Sequence, residues 1–92
     1  MAWSAAELEQ AREAVSALLD ELGLEAYLFA VEPRDGNWEV KVECAVQEGW
    51  ETVTLPVDIR LLLASPVDRE ARARLAQAWD AKLAACRRAG RA

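Results

Sequence analysis

Residues 38–55 read WEVKVECAVQEGWETVTL. Trp38, Val40, Val42, Cys44 and Val46 alternate with Glu39, Lys41, Glu43 and Ala45. A period of two places the first set on one face of a strand and the second on the other. Gly49 lies in a tight turn, QEG, and Trp50–Leu55 follow as a second strand. There Val53 and Leu55 share one face, while Trp50, Thr52 and Thr54 share the other. The reading is an antiparallel sheet with one apolar face and one polar face. A bulge near Gly49 would reverse the choice of faces locally.

Upstream, Tyr27, Phe29 and Val31 suit a strand, and Pro33 ends it. Ala26, Leu28 and Ala30 make its second face apolar too, so this strand is expected to be central or covered on both sides. Asp35-Gly36 supplies hairpin turn chemistry before Trp38. Pro56 is expected to end the last strand.

The flanks are helical. Ser4 is a good N-cap, Glu7 completes a capping box, and Trp3 with Leu8 has the spacing of a hydrophobic staple. Leu8, Ala11, Val15, Leu18, Leu19 and Leu22 then form an apolar stripe. Gly23 suits the left-handed residue after the helix, with Leu24 folding back on the last turn. A helix is expected over 4–22. After the sheet, Asp58 caps a short helix over 59–64. Ser65 is read as the cap of a longer one, with Pro66 in its first position and Asp68 in its third. Ala71, Leu75, Ala78, Trp79, Leu83 and Cys86 recur along it, and Arg87 and Arg88 suit its C-terminal end. Gly90 should stop the helix, with residues 89–92 fraying.

The 92 residues therefore predict one α+β domain over 1–92. It is a two-layer domain in the order α-β-β-β-α(short)-α, a three-stranded antiparallel meander with two long helices packed on one face.

Composition narrows function. The chain has no histidine, which removes the commonest general base and transition-metal ligand. No run is apolar enough to cross a membrane. The stretch MAWSAAELEQ lacks a basic segment followed by an apolar one, so a cytoplasmic protein is expected. In that reducing setting Cys44 and Cys86 read as two small buried hydrophobes. A disulfide would require the strand and the C-terminal helix to meet.

Paired carboxylates do not make an acid–base site here. Glu39 and Glu43 share a strand face but lie about 13 Å apart along it, and Glu48 and Glu51 flank a turn. Glu32, Asp35 and Asn37 are too few for a calcium loop and are read as turn residues. No cofactor, metal or catalytic residue is expected.

The net charge of −5 is uneven. Residues 1–58 carry 13 acidic and 3 basic side chains, and residues 59–92 carry 3 acidic and 8 basic ones. Arg69, Arg72 and Arg74 fall in the first turns of the last helix. Helix, three strands, helix resembles the element order of the double-stranded RNA-binding domain, and that resemblance implies phosphate binding through these arginines. The basic run of that family is absent, because SPVDREARARL interleaves Asp68 and Glu70. The acidic first part also permits a nucleic-acid mimic that inhibits a partner.

The chain carries four tryptophans. Trp3 is read as the staple, and Trp38 and Trp79 as core. Trp50 is the one expected at the surface, against a competing role in packing a small core. Exposed tryptophan is enriched where proteins bind. The leading expectation is a non-enzymatic interaction module: an adaptor, accessory or chaperone-like protein, or a homodimer. Its acidic helix-plus-sheet character is similar to that of secretion chaperones, with no shared motif. The candidate partner surface is Trp50 and Leu28 with Thr52, Thr54, Glu39, Lys41 and Glu43. Protein binding or self-association is expected, without nucleic acid, membrane or metal. The alternative is nucleic-acid binding through Arg69, Arg72 and Arg74.

Overall fold

The computed structural model describes residues 4–24, 27–33, 38–46, 49–84 and 86. Its elements are α1 (Ala5–Glu21), β1 (Tyr27–Glu32), β2 (Trp38–Val46), β3 (Gly49–Val57), α2 (Ile59–Ala64) and α3 (Arg69–Lys82). The strands form one antiparallel sheet in the order β1-β2-β3. Two long helices and one short one pack against it, which is the two-layer α+β arrangement expected from the alternation.

Both ends of α1 follow from side-chain chemistry. The Ser4 hydroxyl accepts from the Glu7 amide at 3.1 Å, and the Glu7 carboxylate accepts from the Ser4 amide at 3.2 Å. This closes the capping box and satisfies two donors that a helix start leaves over. At the far end Gly23 has φ +86°, a conformation in which a Cβ is strained. The Gly23 amide donates to the Asp20 carbonyl and the Leu24 amide to the Leu19 carbonyl, a Schellman motif. Leu24 is buried as a result.

The core lies between the layers. Trp38, Val40, Val42 and Cys44 of β2 and Leu55 and Val57 of β3 supply the sheet side. Val15, Leu18 and Leu19 of α1, Leu62 of α2, and Leu75 and Trp79 of α3 supply the helix side. α1 packs over β1, α3 over β3, and α2 touches both long helices. The Tyr27 hydroxyl donates to Asp20 at 2.9 Å and ties β1 to α1.

The structure revises four expectations. Cys44 and Cys86 are bonded to each other, with Cα atoms 5.7 Å apart. The buried stripe of α3 runs on through Leu83 to Cys86 and carries it over the core face of β2. Ser65 does not cap α3. Its buried hydroxyl donates to the Leu62 carbonyl and closes α2, while Asp68 caps α3 by accepting from the Glu70 and Ala71 amides. Pro66 therefore lies in the intervening turn. Pro56 does not end β3, which runs to Val57, because an edge strand tolerates a residue without an N–H. β1 is an edge strand with Leu28 and Ala30 exposed, not a central or doubly covered one.

The β2–β3 pairing is continuous from Trp38↔Val57 to Val46↔Gly49, so no bulge reverses the faces. Gly49, at φ +132°, begins β3 in a conformation reserved for glycine. The Trp3 staple, the Asp35-Gly36 turn, the helix end around Arg87, Arg88 and Gly90, and the frayed 89–92 tail lie outside the described residues.

Candidate functional site: the outer face of the sheet

Register places the candidate surface residues together. Leu28 pairs with Glu43, which pairs with Thr52. Ala30 pairs with Lys41, which pairs with Thr54. Glu32 pairs with Glu39, which pairs with Pro56, and Ala45 pairs with Trp50. Directly paired residues share a face. These rows make up the side away from Trp38, Val40, Val42 and Cys44, hence away from the helices. Leu28 and Trp50 are each 62% exposed, which settles Trp50 as a surface residue. Thr52, Thr54, Lys41 and Glu43 are exposed, and Glu39 is half-buried.

The two ends of this face differ. At one end Glu32 stands opposite Glu39, a like-charge pair that disfavours the sheet when unrelieved. Lys41 relieves it, its Nζ lying 3.2 Å from the Glu32 carboxylate. At the other end lie Leu28, Glu43, Ala45, Trp50 and Thr52, a mostly apolar patch with one carboxylate. Among the described residues no cation pairs with Glu43.

The arginines of α3 are arranged otherwise. The Arg72 guanidinium donates to the carbonyls of Ser65 at 3.1 Å and Pro66 at 3.0 Å, which pins the α2–α3 turn. Arg74 pairs with Glu70 one turn back at 3.1 Å. Arg69 is exposed. Two of the three are thus engaged within the domain, and Asp68 and Glu70 stand beside them. A phosphate-binding helix instead holds its cations free.

Two features escaped the reading of the sequence. A groove of about 630 Å³ runs between α1 and the α2–α3 turn, walled by Glu13, Ala17, Glu21, Leu63, Pro66 and Arg72. Val67, in that turn, is 90% exposed. Small residues on α1 leave the room, but nothing in their spacing says which helix passes beside them. Among the described residues no group of three or more His, Cys, Asp or Glu side chains is placed to hold a metal ion. Burial, then its bond to Asp20, pushes the Tyr27 phenol above its ordinary pKa. It lies on the core side, away from the patch.

No protein-family model, curated protein or solved structure matches the chain.

Proposed function

We propose that this chain is a non-enzymatic protein-interaction module that docks a partner on the outer face of its sheet. One observation carries the reading. Leu28 and Trp50, the two large apolar side chains of that face, are both exposed on the side the helices leave open. Aromatic residues at such positions are the usual anchors of protein interfaces. The surrounding threonines and carboxylates form the polar rim such a patch requires.

The test compares the tagged chain with a Leu28→Lys/Trp50→Lys double variant in lysate of the source organism, with nuclease present. Both side chains are exposed, so circular dichroism of the variant should match wild type. The reading expects a stoichiometric protein partner that the variant loses. Equal recovery by both proteins, or recovery by neither, refutes it.

Compartment belongs with this proposal. The Cys44–Cys86 bond is of a kind that persists where the surroundings are oxidising, against the cytoplasmic default. We assign the bonded form to an oxidising compartment. Thiol labelling after rapid acid quench of intact cells decides the matter: bonded cysteines uphold the assignment, and two free thiols return the chain to the cytoplasm.

A further inference from the structure

Size and charge on the outer face indicate what covers it. Nine-residue strands rise about 30 Å, and three strands about 4.8 Å apart give a width of roughly 10–15 Å. The face thus offers roughly 300–450 Å², against about 800 Å² that each partner contributes to a standard interface between folded proteins. A second copy laid on it would also oppose like charges, because Glu32, Glu39 and Glu43 outnumber Lys41. A single α-helix is about 10 Å wide and covers 30 Å in about 20 residues. Its outline is that of this face.

The apolar end says what the helix should carry. Leu28 and Glu43 are directly paired across β1–β2. Glu43 and Trp50 are diagonal neighbours across β2–β3, about 7–8 Å apart and within reach of an aromatic ring and a long side chain. One carboxylate therefore sits between two exposed apolar groups. A guanidinium or ammonium would find the π-face of Trp50 and the charge of Glu43 together, and an aliphatic side chain one turn away would find Leu28.

We propose that the partner presents one amphipathic helix, with an arginine or lysine seated between Trp50 and Glu43 and an aliphatic residue on Leu28. This inference rests on the outer face being the docking surface.

The probe is a synthetic helix of about 20 residues, with leucine and arginine along one face. Its control has every arginine replaced by glutamate and the leucines kept. Binding to the full chain is followed by NMR through the Trp50 indole and the Glu43 and Thr52 amides. The arginine helix should bind about tenfold tighter than its control at low salt, and the advantage should fade at about 0.5 M salt. Trp50→Ala should weaken the arginine helix about tenfold. Glu43→Lys should erase the preference. Equal affinity for the two helices, or shifts that map to α3 or to the α1 groove, overturns the inference.

Two outcomes separate this failure from that of the function above. A lysate partner that contacts Leu28 and Trp50 through an acidic segment overturns the helix chemistry and leaves the docking face standing. A native mass that is dimeric for wild type and monomeric for Trp50→Ala gives the face to a second copy, with the same consequence.

Discussion

Replacing Cys44 and Cys86 together by alanine opens a covalent loop whose ends are 42 residues apart in sequence. In the chain-entropy account, closing a loop of that length removes unfolded-state freedom worth about 4 kcal/mol. A domain of this size holds only about 5–9 kcal/mol in total, so the bond supplies a large share of the margin. Reduction of the wild-type protein isolates this effect, because the sulfur atoms and their packing remain. The assay is equilibrium urea unfolding of the oxidised, reduced and double-alanine proteins, followed by circular dichroism and tryptophan fluorescence. With a slope of about 1–2 kcal/mol per molar urea, the midpoint should fall by roughly 2–4 M on reduction. The alanine protein should fall at least as far, since it also loses buried atoms. A loss below about 1 kcal/mol on reduction would refute the reasoning. It would mean that the end of α3 is not held over β2 in the folded protein.

Other perturbations sort core from surface. Leu19→Ala, at a fully buried site, should cost about 2–5 kcal/mol in the same assay. Trp50→Ala should stay within about 0.5 kcal/mol of wild type, because that side chain packs against little in the domain. Ser4→Ala should cost about 1 kcal/mol, with faster amide exchange confined to the first turn of α1. The raised pKa of Tyr27 carries a sign: its contribution is complete below the unfolded-state pKa and is lost as pH rises through the folded-state value. Stability should therefore decline in the alkaline range, and Tyr27→Phe should flatten that decline in pH-dependent urea unfolding.

The local elements were legible because local chemistry determines them. Strict alternation over residues 38–46 admits one strand with one buried face, and β2 spans those residues. Ser4, Glu7 and Gly23 mark the ends of α1 through backbone bonds that involve only nearby residues. The outer-face set was legible for the same reason: once β2 and β3 pair around a short turn, parity places Trp50 beside Glu43. Distant contacts were harder. The α3 stripe pointed Cys86 at the core, but only the packed domain brings it to Cys44. Ser65 and Asp68 are both good caps, and choosing between them requires knowing that Ser65 is buried against Leu62. Pro56 reads as a terminator unless the strand is known to be an edge. The two-faced apolar pattern of β1 suggested burial on both sides, whereas its second face is half of the exposed patch.

The most direct test of the docking face is a footprint. Hydrogen exchange and NMR line broadening would be recorded on the labelled chain, alone and with the partner captured from lysate. The account predicts protection and broadening at Leu28, Glu43, Ala45, Trp50 and Thr52, with α1 and α3 unchanged. Protection centred on Arg69, Arg72 and Arg74, or on the groove beside Glu13 and Glu21, with the sheet face unaffected, would contradict it.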